Sequence, residues 1–152
     1  MERKRINVRG VIFQDNKLYC QKITPVPEDP NTHYWCTPGG GLEADEPIIQ
    51  GLEREIVEET GVKPKIGKLL FVNQFNNKNH ERGEQVELFF LIENPSDYLA
   101  VNLATTSHGQ IECERSDFIN PSTNCVLPDF LQTIDIQSYT TNNLPVFIKN
   151  SL

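Results

Sequence analysis

The sequence predicts an α/β fold in which a mixed β-sheet is sandwiched between α-helices. Two observations predict it. Strand-length apolar runs recur on both sides of a capped amphipathic helix, and a second helical stretch follows the last of them. At 152 residues the chain has the size of one ordinary domain and can bury one sizeable core, so residues 1–152 are expected to form a single domain.

Residues 5–14 and 17–23 read as two strands joined at Asp15-Asn16, a pair suited to a hairpin turn. Residues 24–33, with Pro25, Pro27, Pro30 and Asn31, read as an irregular loop. Tyr34 to Thr37 is a short strand candidate that runs into Pro38-Gly39-Gly40-Gly41. The helix that follows begins near Asp45-Glu46-Pro47 and ends at Gly61. Its signals are an acidic cap, a proline in the first turn and a glycine just past the end. The stretches 65–75 and 84–93 are further strands around the polar loop Asn76 to Gly83, and 98–104 and 115–119 are expected as short ones. A second helix is expected from Pro128 to about Gln137.

Composition narrows the function. Apolar residues make up 38% and aromatics 9%, normal for a globular protein. The run Val86 to Ile92 is strand-length and broken by Glu87, and no stretch reaches the roughly 20 apolar residues of a membrane helix. The charged start, Met1 to Arg5, leads into an alternating segment that carries Arg9, not into a signal-peptide core, so the cytoplasm is the expected location and no membrane the expected partner. Cys20, Cys36, Cys113 and Cys125 are widely spaced and are read as reduced, structural residues. The net charge of -7 argues against a nucleic-acid polymer as partner, because such binders present a basic surface. It leaves room for a small phosphorylated ligand if a divalent cation supplies the positive charge.

Residues 40–62 read GGLEADEPIIQGLEREIVEETGV. On a helix, Glu55, Glu58 and Glu59 stand at i, i+3 and i+4, on one side and within reach of each other. Their mutual repulsion costs stability, and a hard divalent cation reverses that cost, since Mg²⁺ takes oxygen ligands. Ile49, Leu52 and Ile56 form an adjacent apolar stripe that can dock the helix on the sheet. Gly39 to Gly41 let the backbone turn tightly beside the carboxylates, where a carbonyl can join a coordination shell. Taken alone, three glutamates at this spacing describe a solvated acidic face more often than a metal site.

The whole segment is more specific. It resembles the Nudix box, G-x5-E-x7-R-E-U-x-E-E-x-G-U with U a bulky aliphatic residue. The matching positions are Gly40, Glu46, Arg54, Glu55, Ile56, Glu58, Glu59, Gly61 and Val62, without a gap. Chance would produce such a match in fewer than about one chain in a million, so the glutamates are read within this frame. The strand–turn–strand start, the Pro-Gly-Gly lead into the box and the later strands and second helix also follow the family's pattern. The resemblance implies a Nudix fold and hydrolysis of a diphosphate linkage with Mg²⁺, for which Mn²⁺ can substitute.

Carried over residue by residue, the resemblance makes Glu55 and Glu59 the direct metal ligands. Glu58 is a third ligand or the partner of the metal-bound water, and the Gly40 carbonyl a weaker ligand. Arg54 matches the box arginine, which orients a glutamate of the set and does not touch substrate. Glu46 supports the loop and helix start, or simply favours the helix dipole. In several relatives the general base lies outside the box, before a later strand. Glu112 falls there, with Glu114 and His108 behind it and Glu58 as another choice. Lys22, at the end of the second strand, matches a phosphate-contacting cation of some relatives, and Arg9 is a further candidate; either is equally a surface charge. Phe75, Tyr34 and Trp35 are candidates to stack on a base or to belong to the core.

The expected substrate is a small nucleotide, a (d)NTP or modified nucleotide first, and the expected state a monomer or homodimer. The proline about fifteen residues past the box that marks ADP-ribose enzymes, the tyrosine of dinucleoside polyphosphate enzymes and the S-Q-P-W of NADH hydrolases are all missing. A nucleotide-sugar hydrolase stays open. So does an inactive nucleotide-sensing module, although such domains usually lose box glutamates and this chain keeps Glu55, Glu58 and Glu59.

Overall fold

The computed structural model describes residues 4–23, 33–78, 83–107 and 113–152. The strands in chain order are β1 (Arg5–Val11), β2 (Phe13–Gln14), β3 (Lys17–Ile23), β4 (Trp35–Cys36), β5 (Gly39–Gly41), β6 (Ile66–Asn76), β7 (Glu84–Ile92), β8 (Cys113–Ile119) and β9 (Phe147–Ser151). The helices are α1 (Ile48–Thr60) and α2 (Ile136–Thr141), with 3-10 turns at Pro95–Tyr98, Leu103–Thr105 and Asp129–Gln132. A five-stranded mixed sheet runs β5-β1-β7-β6-β9, parallel at β1–β7 and β6–β9 and antiparallel elsewhere. In the second sheet β3 pairs with β2, β4 and β8.

The large sheet is covered on both faces, because strand alternation sends successive side chains to opposite sides. Val8 and Ile12 meet Leu52 and Ile56 of α1 on one face, all fully buried. Val11, Phe71 and Phe89 pack on the other face with Phe130, Leu131 and Ile136. Each fully buried side chain of this size contributes about 2 kcal/mol of transfer free energy. Along that second face the composition then changes. Beyond Val11, Phe89 and Phe71 the same strand faces carry Arg9 and Asn7, Glu87 and Gln85, and Asn73 and Phe75. The apolar core gives way to a polar floor within one sheet.

The Asp15-Asn16 turn forms as expected, both residues at positive φ (51° and 60°) between β2 and β3. α1 also ends as expected, Gly61 taking the left-handed conformation with its N–H on the Val57 carbonyl at 2.9 Å. Its start differs from the expectation. Pro47 is the cap, no side chain caps the end, and Glu46 is held by Arg54 instead. Ile49 is not part of the docking stripe: it is 48% exposed, and Leu52 and Ile56 carry the contact.

Residues 98–104 are not a strand. They begin with the end of one 3-10 turn and enter another, where the Asn102 carboxamide accepts the Ala104 N–H, a local bond that competes with ladder pairing. The helix expected over 128–137 breaks because the Asp135 side chain accepts the Ser138 N–H and opens α2 there. Two strands were not foreseen. β5 is all glycine, and β9 pairs in parallel with a distant strand, so neither carries a local apolar pattern. No helix among the described residues is long and apolar enough to cross a membrane, and Cys20, Cys36 and Cys125 carry no disulfide.

Candidate active site

A cavity of about 710 Å³ opens over the polar floor. α1 borders it through Glu55 and Glu59, β1 through Arg5 and Arg9, and the glycines of β5 through their backbone. β6 and β7 supply Asn73, Phe75, Gln85 and Glu87, while Gln21, Ile23, Tyr34 and Cys36 form a wall at β3 and β4.

Side chains are excluded along the glycine strand, by the backbone of β1 at Gly39 and by Glu55 of the helix at Gly40. Gly39 has φ 143°, and a Cβ on it would collide with the Val8 carbonyl. A Cβ on Gly40 would lie 2.5 Å from Oε2 of Glu55, so the carboxylate rests where a side chain would otherwise be. Glu59 is 5% exposed, and its Oε2 accepts the Gly39 N–H at 2.8 Å. A buried carboxylate needs such a partner to remain charged.

Arg54 gathers the other box acids. Its Nε and Nη2 donate to the two oxygens of Glu46 at 2.7 and 2.9 Å, a bidentate fork. Its Nη1 donates to Glu55 at 3.0 Å and to Glu58 at 3.2 Å. The hydrogen bond from Arg54, with a second from the Glu43 N–H, holds the Glu46 carboxyl down to about 2. The same bond to Glu46 raises the Arg54 guanidinium above its ordinary value, with Glu55 reinforcing it. Glu46 therefore anchors the arginine rather than capping the helix.

The floor has its own arginine. Arg9 donates to Glu87 at 3.4 Å and to the carbonyls of Thr37 and Gly39 at 3.3 and 3.1 Å. Burial opposes its charge, but Glu87, Cys36 and Glu59 nearby outweigh that and raise it. Glu87 also accepts from Asn73 at 3.1 Å, while Arg5 donates to Asn7 and Asn7 to Gln85. These residues span β1, β7 and β6, and Asn7, Asn73, Gln85 and Glu87 are all buried.

The structure thus brings Glu55, Glu59 and Gly40 together in the cavity and places Glu58 on Arg54, outside the lining. Lys22 is not in the lining either: Gln21 and Ile23 of its strand are, and Lys22 pairs with Trp35 in the ladder. Phe75 and Tyr34 line the cavity, whereas Trp35 belongs to the core. Glu112 and His108 lie outside the described residues, as does the side chain of Glu114. Asn7, Asn73, Gln85 and Glu87 were missed. Their signal was a polar residue at alternate strand positions, as at Glu87 within the run to Ile92, but the pattern does not say which strands adjoin.

Among the described residues no three His, Cys, Asp or Glu side chains form a group able to hold a metal alone. The donor set still fits Mg²⁺. That ion typically takes one or two carboxylates and completes its octahedron with water and substrate phosphate oxygens. Glu55, Glu59 and the Gly40 carbonyl are hard oxygen donors of this kind.

The NUDIX domain family model matches residues 3–121. The chain is 32% identical over 88 residues to an ADP-ribose pyrophosphatase of Methanocaldococcus jannaschii, covering 58% of this chain and 50% of that protein. It is 40% identical over 57 residues to the mouse diphosphoinositol polyphosphate phosphohydrolase 3-alpha, covering 38% and 33%. The aligned stretches span half or less of these relatives' lengths. Among solved structures, the E. coli ORF135 protein superimposes with a TM-score of 0.67 at 16% identity, covering 94% of this chain and 96% of that one. An ADP-ribose pyrophosphatase from Streptococcus suis gives a TM-score of 0.65 at 16% identity, covering 97% and 100%. At this identity the structural likeness speaks for the fold.

Proposed function

The chain belongs to the NUDIX family, and we propose that it is a Mg²⁺-dependent hydrolase of a diphosphate linkage in a small nucleotide, a (d)NTP or modified nucleotide first. The observation that carries this reading is the shared cavity: Glu55, Glu59 and Gly40 face the same space as Arg5 and Arg9. Carboxylates at one end suit a cation, and guanidinium groups beside them suit phosphate oxygens.

In this reading Glu55 and Glu59, with the Gly40 carbonyl, hold the cation. When bound, Mg²⁺ screens the phosphate charge and lowers the pKa of a coordinated water. Arg54 fixes Glu55 and Glu58 without meeting the substrate, and the Gly39 N–H fixes Glu59. Arg9 and Arg5 orient the diphosphate. Glu112 accepts the proton of the attacking water, with Glu114 and His108 the runners-up and Glu58 a further choice. The products are a monophosphate and pyrophosphate.

A second reading takes a nucleoside diphosphate joined to another group, as in ADP-ribose. The likeness to an ADP-ribose pyrophosphatase and the amides of Asn73 and Gln85 on the cavity floor favour it. Turnover of a panel of nucleotides and conjugates with Mg²⁺, with product identification, tests both. Wild type is expected to release phosphorylated products, and Glu59→Gln to lower kcat about a thousandfold. Tight nucleotide binding without any product from wild type would leave a sensing module in place of an enzyme.

A further inference from the structure

Among the described residues four carboxylates line the cavity, and three of them are engaged by the chain itself. Glu55 accepts from Arg54, Glu59 from the Gly39 N–H, and Glu87 from Arg9 and Asn73. Asp129 is the exception. It is exposed, and among the described residues its carboxylate meets no hydrogen-bond donor and no cation. It opens the 3-10 turn Asp129–Gln132, whose end no side chain caps. Its backbone is nonetheless well held. The Leu127 N–H donates to the Trp35 carbonyl of β4 at 2.9 Å, and Phe130 and Leu131, the next two residues, are buried in the core. An acid presented from an anchored backbone on a cavity wall, without a partner of its own, suits a donor carried by the ligand.

We propose that Asp129 selects a guanine base, its two carboxylate oxygens accepting the ring N1–H and the exocyclic 2-amino group side by side. The proposal rests on the reading above only in placing a nucleotide in this cavity. A carboxylate repels phosphates, which are drawn instead to Arg5, Arg9 and the cation held by Glu55 and Glu59. Asp129 therefore meets the uncharged end of the nucleotide. In the same lining Ile23, the half-buried Tyr34 and the exposed Leu127 offer apolar surface to the face of a heteroaromatic ring. The edge of the ring then decides which base fits. A carboxylate has only acceptors, and its bidentate complement is a pair of adjacent N–H donors. Guanine presents that pair. Adenine and cytosine set an amino group beside a ring nitrogen acceptor, and uracil flanks its one N–H with carbonyl oxygens. Each of these turns an acceptor toward Asp129 and leaves a carboxylate oxygen unmatched.

The test measures the affinity of the full chain, in Mg²⁺, for nucleoside triphosphate analogues whose α,β-phosphates are bridged by methylene. The nucleosides are guanosine, inosine, adenosine and xanthosine. Inosine lacks only the 2-amino group, and wild type is expected to bind the guanosine analogue about tenfold more tightly, the worth of one hydrogen bond to a charged group. Adenosine should bind no better than inosine. Asp129→Asn sets one donor beside one acceptor, which matches the 2-carbonyl and N1–H of xanthine, so its preference should pass from guanosine to xanthosine. Asp129→Ala removes both functions and should bring guanosine and inosine within about twofold. Thermal unfolding checks that each variant is folded, and either one alone can carry the comparison. Equal affinity of wild type for guanosine and inosine, which a carboxylate on the ribose hydroxyls would give, overturns the assignment. So does a failure to bind any of the four, or a guanosine-to-inosine ratio unchanged in a folded variant. The hydrolase reading fails separately, if unmodified nucleotides yield no product, and the affinity ratios still report on Asp129.

Discussion

Two arginines organise this site, and they do so over very different stretches of chain. Arg54 holds Glu46, Glu55 and Glu58, all within thirteen consecutive residues of the box, 46 to 58. Arg9 holds Glu87 and the backbone of Thr37 and Gly39, and reaches Asn73 only through Glu87. One network is a property of a loop and a helix. The other exists only once β1, β7 and β6 lie side by side. A local network can be lost while the fold survives, whereas a network assembled across strands is part of what makes the strands adjoin.

The sharpest way to break the comparison is at Glu59, which the Gly39 N–H ties to the glycine strand between the two networks. Glu59→Gln keeps the shape and removes a cation ligand, so kcat is expected to fall by about a thousandfold, about 4 kcal/mol, with the unfolding midpoint nearly unchanged. A midpoint that collapses with kcat would make the residue structural.

Glu87→Ala probes the cross-strand network. It leaves the Arg9 charge partly buried without its carboxylate and is expected to cost about 3 kcal/mol of stability, read as a lower denaturant midpoint at constant slope. Little loss of stability with a large loss of turnover would place Glu87 with the chemistry instead. Arg54→Lys probes the local network. The ammonium cannot reproduce the fork on Glu46, so kcat is expected to fall about tenfold while stability changes by less than about 1 kcal/mol.

The smallest effect is on pH. The folded Glu46 carboxyl titrates near 2, below its ordinary 4.5. Its contribution to stability is therefore complete above pH 4.5 and is lost as pH falls toward 2. Unfolding midpoints of wild type and Glu46→Gln should differ above pH 4.5 and converge in that acid window. A gap independent of pH would mean that Glu46 acts through shape alone.

Much of the fold was legible. The Asp15-Asn16 hairpin, α1 with its Gly61 stop and the two long strands carry local signals, because turns, caps and alternation depend on neighbouring residues. β5 and β9 were not legible, since Gly39–Gly41 and Phe147–Ser151 form strands only against β1 and β6. The acids before α1 misled for a related reason: a local rule made them helix caps, and a residue eight positions on, Arg54, claimed Glu46. The site divides the same way. Glu55, Glu58, Glu59, Arg54 and Gly40 sit in one contiguous motif, whereas Asn73, Glu87 and Gln21 come from separate strands.

By itself, then, the sequence determined the α/β class, the family, the helix and the acids placed along it, because helical spacing turns a linear pattern directly into one face. Only the tertiary structure decided which acids reach the cavity, that Arg9 and Glu87 meet beneath it, and that Gln21 rather than Lys22 lines it. The physical reason is register. Alternation fixes that neighbouring strand residues take opposite faces, but which face borders a cavity depends on pairing between strands far apart in the chain.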